Sequence, residues 1–170
     1  MAKKGNHVYY NSISSGYEEL HKAEQEAKLA IIKANMTIKP TDKLLDVGCG
    51  TGITSRFSES GCLVVGADPA IKLLKKAEKN SLKNRVCAEA EHLPFKDNSF
   101  DITISITAIQ NFHDIRKGLE EIKRVGKNKF ALTFLKRSQN KDVIINNIKK
   151  IFKVQKEMEE EKDIMMIAVK

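Results

Sequence analysis

A short apolar run that empties into closely spaced glycines leaves a chain few choices, and here it reads Leu44-Leu-Asp-Val-Gly-Cys-Gly-Thr-Gly52. An unalternating apolar run belongs to a strand buried on both faces, as in the centre of a parallel sheet. Glycines that follow at once, with a helix-like segment beyond, let backbone approach a ligand because no Cβ obstructs it. The glycines stand at 48, 50 and 52, and Ile53 occupies the place of the third glycine in a dinucleotide-binding GxGxxG. The spacing therefore argues against a pyrophosphate turn. It suits a ligand without phosphates, whose cationic end the carboxylate of Asp46 can orient.

The rest of the chain alternates in kind. Leu20, Ala23, Ala27, Ala30, Ile31 and Ala34 recur at helical spacing and predict a helix over Tyr17–Ile38, ended by Pro40-Thr-Asp. Lys43–Val47 is a first strand, Thr51–Glu59 the helix after the glycines, and Cys62–Ala67 a second buried strand. Pro69 opens a helix that continues over Ala70–Lys79. Arg85–Ala88 reads as a third strand, Phe100–Ile106 as a fourth, Ile115–Val125 as an amphipathic helix and Lys129–Leu135 as a fifth strand. A helix at Lys141–Phe152 and a last strand at Asp163–Val169, paired with Val154–Met158, complete the pattern. Strands alternating with helices imply βαβ units, a parallel sheet and an α/β fold. With no repeat or linker, residues 1–170 read as one domain, a helical lead-in over 1–40 packing on a core of 41–170.

Composition narrows the function classes. A chain of 170 residues with 41% hydrophobic and 31% charged residues has the make-up of a globular domain. It holds no run of eighteen apolar residues, and Met1-Ala-Lys-Lys-Gly-Asn precedes no apolar signal stretch, so a cytoplasmic location without a membrane partner is expected. Cys49, Cys62 and Cys87 lack CxxC spacing and read as buried or loop thiols, not a disulfide or metal set. Charge is uneven: 13 Lys and Arg stand against 4 Asp and Glu over residues 111–156, while residues 41–110 balance. A basic half beside a neutral half suits a polyanion such as RNA, and a lysine-rich solvated surface reads equally well.

Leu44–Gly52 resembles motif I of the class I S-adenosylmethionine-dependent methyltransferases, in the methyltransferase-11-like group whose motif is L-D-V-G-C-G-T-G. The resemblance continues in order along the chain. Asp68 closes the second strand, where the family's acidic residue accepts from the ribose hydroxyls, and Pro69-Ala70 follow where the family packs on the adenine. Ala88-Glu-Ala-Glu-His-Leu-Pro-Phe95 is similar to the family's G-D-A-x-x-L-P-F. Ala88 replaces its glycine, and Glu89 replaces the aspartate that meets the adenine amino group with a longer acceptor. Asn98-Ser-Phe-Asp101 matches the lead-in to strand four.

This resemblance implies a Rossmann-like three-layer sandwich with a seven-stranded, mostly parallel sheet in the order 3-2-1-4-5-7-6, the last strand antiparallel. It implies S-adenosylmethionine as cofactor, held by Asp46, Gly48, Cys49, Gly50, Gly52, Asp68, Pro69, Ala70, Glu89, Ala90 and Thr107, with no metal. Tyr9–Tyr17 resembles the aromatic lead-in that folds over the cofactor in the family, which adds Tyr17 to the set. A hydrophobic staple for the first helix is the other reading of those tyrosines.

Methyl transfer from a sulfonium is an in-line displacement on an activated carbon, so positioning and desolvation carry it without a covalent nucleophile. Gln110, Asn111, Phe112 and His113 follow the carboxyl end of strand four, where open α/β sheets place ligands. Of these, His113, Asn111 and Gln110 are the catalytic candidates, although His113 reads first as a surface histidine and His92 as a turn residue. Ser105-Ile-Thr-Ala-Ile-Gln-Asn-Phe112 lacks the N/D-P-P-Y/F of members that methylate exocyclic amines or glutamine. No cysteine sits in a cytosine-C5 loop, and Asp114 stands alone where metal-dependent members cluster carboxylates. Short connections after strands four and five imply an open site. That suits a macromolecular acceptor, RNA or protein, or a small activating partner on an exposed sheet edge. A small-molecule acceptor and a cofactor-binding subunit without turnover are the alternatives.

Overall fold

The computed structural model describes residues 17–170, with side chains from residue 23 onward. β1 (Lys43–Val47) is buried at every residue after the first, as its apolar run requires. It lies between β2 (Leu63–Ala67) and β4 (Phe100–Ser105), parallel to both, with Asp46 level with Gly66 on one side and Ile104 on the other. β3 (Asn84–Val86) extends the sheet beyond β2, and β5 (Gly126–Leu135) beyond β4, again in parallel. β7 (Asp163–Val169) then pairs antiparallel with β5 and with β6 (Lys153–Glu159). The order β3-β2-β1-β4-β5-β7-β6 is the one expected from the sequence.

Neighbouring strand residues point to opposite faces, and the apolar pairs Leu44/Leu45, Ala131/Leu132 and Met165/Met166 fill both. On one face Leu44, Ile104, Ala131 and Met165 pack with Leu29 and Ile32 of α1 (Tyr17–Asn35), Phe57, and Leu74 of α2 (Ile71–Lys79). On the other, Leu45, Phe130, Leu132 and Met166 pack with Leu119 and Ile122 of α3 (Ile115–Val125) and Ile144 and Ile148 of α4 (Lys141–Ile151). Each such side chain, once fully buried, contributes roughly 1.5–3 kcal/mol. No helix among the described residues is long and apolar enough to cross a membrane.

Several elements differ by a residue at an end from the sequence expectation, and four differ by more. The segment after the glycines is a 3-10 helix, Ile53–Ser60, bounded by left-handed Gly52 and Gly61. Its threonine and serines spend their hydroxyls elsewhere: Thr54 on Asp46, Ser55 on the Asn80 carbonyl, Ser58 on the Ser55 carbonyl. Such side chains are poor α-helix formers for this reason. α1 stops at Asn35, freeing Met36 to enter the core ahead of Pro40. β3 is confined to Asn84–Val86, and beyond it the Ala88 N–H donates to the Asp68 carbonyl at 3.3 Å. β5 starts three residues early because α3 runs directly into it at Gly126. The Tyr9–Tyr17 lead-in lies outside the described side chains.

Candidate functional site

The glycine loop lines a cavity of about 460 Å3 at the carboxyl ends of β1 and β4. Asp46 and residues 48–52 form one wall, Ile106 another, and Gln25 of α1 and Arg56 of the 3-10 helix approach from above. Gly48 and Gly52 both take left-handed φ values, 79° and 80°. A Cβ at Gly48 would stand 2.4 Å from the Ala108 Cβ, and one at Gly52 would stand 2.9 Å from the Ala77 Cβ. All three glycines line the cavity, as the sequence expectation of ligand approach has it, and at two of them the missing Cβ space is also filled by protein. Gly48→Ala should therefore cost roughly 2 kcal/mol or more from backbone strain and crowding, lowering the melting temperature by about 4–8 °C in a thermal scan.

Asp46 is 2% exposed. Its Oδ2 accepts from the Thr54 hydroxyl at 2.8 Å, and its Oδ1 has no partner. Burial pushes its pKa up to about 7; the Thr54 hydroxyl opposes this and the charge of Asp68 adds to it. A buried carboxylate with an empty lone pair beside a cavity is what a cationic ligand group would satisfy. The α-ammonium of S-adenosylmethionine is such a group, so the residues fit that cofactor.

Asp68 ends β2, and its two oxygens are already aimed by backbone. Gly50 N–H donates to Oδ2 at 2.9 Å and Ala70 N–H to Oδ1 at 2.8 Å. A carboxylate has about four lone-pair sites, so its two oxygens can accept from several donors at once. Burial and the charges of Asp46 and Asp68 push the Cys49 thiol well up, which leaves it a packing residue. Cys62 is also buried, whereas Cys87 is exposed and places its Sγ 3.6 Å from the Pro69 carbonyl. Among the described residues no group of His, Cys, Asp and Glu could hold a metal ion.

The remaining sequence candidates divide. Ala70 and Ala90 are buried and Pro69 is half-buried, but Glu89 is 55% exposed, with its carboxylate 4.0 Å from His92. Of the cofactor candidates, Asp68, Pro69, Ala70, Glu89, Ala90 and Thr107 do not line the cavity, and neither do Gln110, Asn111, Phe112 and His113. Thr107 turns inward to Lys28 and Asp163. Gln110 donates from Nε2 to the Thr107 carbonyl at 2.6 Å, and its Oε1 is buried without a partner. Asn111 is half-buried and His113 exposed, while Phe112 covers Gly118 of α3, where an added Cβ would come within 2.5 Å of its ring. Asp114 caps α3, accepting from Lys117 N–H at 3.0 Å. Sequence reasoning missed, among other cavity residues, Gln25, Thr51, Arg56, Asn80 and Ile106. Ile106, at the mouth of a strand, and Thr51, inside the glycine motif, carried a positional signal.

Residues 45–133 match the model of a family described as a methyltransferase domain. The chain is 33% identical over 153 residues to an uncharacterized protein of Methanocaldococcus jannaschii, covering 89% of this chain and 60% of that one. It is 40% identical over 96 residues to the demethylmenaquinone methyltransferase of Corynebacterium kroppenstedtii, covering 56% of this chain and 42% of the relative. Thus the chain spans about half the length of these relatives. Among solved structures it is similar to a putative methyltransferase of Haloferax volcanii in complex with the Trm112 methyltransferase activator. That likeness has a TM-score of 0.81 at 14% identity and covers 94% of this chain and 96% of the other. The protein is a member of the methyltransferase domain family, in its class I, Rossmann-like branch that takes S-adenosylmethionine as cofactor.

Proposed function

We propose that the protein transfers the methyl group of S-adenosylmethionine to a macromolecular acceptor presented at the open edge beside Gln110. The buried, unpartnered Oδ1 of Asp46 carries the donor half of this reading. It would anchor the methionine end, Asp68 the ribose, and the desolvated cavity would hold the sulfonium in line for displacement. The macromolecular half is supported by the short connections, Ser105 to Ile115 and Leu135 to Lys141, which build no cap over the edge. A polymer brings its own surface to exclude water, which a small acceptor does not.

RNA draws less support than composition alone suggests. Arg116, Arg124, Lys127, Lys129, Lys136 and Lys149 pair with carboxylates. The basic residues are also spread over α3, β5, α4 and β6 instead of forming one stripe. A small-molecule acceptor is supported by the demethylmenaquinone relatives. Incubation with methyl-tritiated cofactor against RNA, protein and small-molecule fractions separates these readings. Label in RNA or protein is expected. Label confined to the small-molecule fraction rejects the macromolecular half, and cofactor bound without transfer to any fraction rejects turnover by this chain alone.

An activating partner is a second reading with its own observation. β3 is one of the two edge strands of the sheet, and a groove with Ile71, Leu74 and Cys87 among the charged side chains Lys75, Glu78, Lys83 and Arg85 runs beside it. Ile71 is 49% exposed there. An unpaired edge is a docking template, and the likeness to the Haloferax methyltransferase, whose structure is a complex with an activator, supports an activating partner for this chain.

A further inference from the structure

Lys28 and Asp163 are 3% and 0% exposed, and neither lines the cavity. Burying two charges is costly even when they pair, so such a pair argues for fixed geometry more than for stability. Lys28 Nζ donates to Glu24 Oε1 and Thr107 Oγ1, both at 2.8 Å, and lies 2.9 Å from Asp163 Oδ2. Its three protons are thereby used. Thr107 in turn donates to Asp163 Oδ2 at 2.5 Å, and its backbone N–H donates to Thr133 Oγ1 at 2.7 Å. Its φ is 54°, a left-handed value that a β-branched residue keeps only where its surroundings hold it.

Four distant segments meet at this point: α1, the end of β4, β5 and the start of β7. Two of them carry cavity walls, since Gln25 lies three residues before Lys28 and Ile106 immediately precedes Thr107. Through its carbonyl, Thr107 also holds Gln110. Leu29 and Ile32 anchor the later part of α1 in the core independently of the ion pair, and Met36 does so just beyond its end.

We infer that the Lys28–Asp163 pair is a latch that holds α1 against the end of β4, fixing both the cofactor cavity and the stance of Gln110. These two are positioning residues, and the inference rests on the cavity being the cofactor site. Lys28→Met alone leaves the Asp163 charge buried without its partner and should lower the melting temperature. Lys28→Met/Asp163→Asn removes both charges and should recover much of that loss. Titration of S-adenosylhomocysteine into wild type and double variant by calorimetry then separates stability from positioning. If loss of the latch leaves the binding-competent arrangement about a tenth populated, affinity falls about tenfold in the double variant. Faster amide exchange over Glu24–Lys28 should accompany it. Wild-type affinity in a folded double variant overturns the latch. Should that variant not fold, Thr107→Val keeps both charges while removing the bridging hydroxyl, and unchanged affinity there overturns it equally. Failure of the wild type itself to bind S-adenosylhomocysteine instead overturns the cofactor reading.

Discussion

Replacing Asp46 with asparagine should weaken S-adenosylmethionine binding by about a hundredfold or more, because removing one member of a buried ion pair costs roughly 3–5 kcal/mol. The same substitution should stabilise the ligand-free protein above neutral pH. The folded-state pKa of Asp46 is raised to about 7 from 3.8. A raised carboxylate contributes stability that is complete below its ordinary range and is lost as pH rises through the folded value. Wild-type stability should thus decline between about pH 4 and 7, by at most on the order of 4 kcal/mol from this group. Asparagine, neutral throughout, lacks that decline. Thermal scans of the ligand-free proteins should give similar melting temperatures near pH 3.5 and a lead for Asp46→Asn that grows from pH 5 to pH 8. Cofactor affinity of the wild type should move oppositely, falling as pH drops from 7 to 5 and the carboxylate takes up a proton, by at most about tenfold per pH unit. An affinity flat across that window would separate Asp46 from the ammonium.

Asp68→Ala should abolish measurable cofactor binding and destabilise the apo protein as well. The carboxylate accepts from Gly50 N–H and Ala70 N–H, so its removal leaves two donors at the mouth of the glycine loop without their acceptor. Hydrogen bonds to a charged group are worth roughly 1.5–3 kcal/mol each, and losing the ribose contacts should weaken binding by about a hundredfold or more. Asp68→Asn keeps one carbonyl acceptor and should fall between. Calorimetric titration read beside a thermal scan checks both effects, and a variant destabilised without any loss of affinity would make Asp68 a loop brace only.

What could be read beforehand followed from local pattern. The strand order came through because motif I and Asp68 carry the resemblance to the class I methyltransferases, which implies that order. The 3-10 helix did not, because whether Thr54 and Ser55 donate to their own backbone or to Asp46 and Asn80 is settled by tertiary neighbours. Gly48 and Gly52 were legible as necessary glycines, yet what fills their missing Cβ space, Ala108 and Ala77, comes from segments far along the chain. Lys28 carried no signal at all: on a helix rich in Lys and Glu it reads as solvated, and Asp163 reaches it only when β7 closes beside β5. The basic segment 111–156 was countable in sequence, but besides Glu120 and Glu121 within it, five carboxylate partners, Asp42, Asp97, Asp101, Glu157 and Glu159, lie outside it.

That a carboxylate-lined hollow above bare backbone receives the sulfonium nucleoside is tested most directly by titrating S-adenosylmethionine into the folded wild-type protein at pH 7.5 in a calorimeter. Saturable binding at one site per chain, weakened by Asp46→Asn and lost in Asp68→Ala, is the expected result. No heat and no rise in melting temperature at millimolar ligand, from material whose cooperative unfolding shows it is folded, would contradict it.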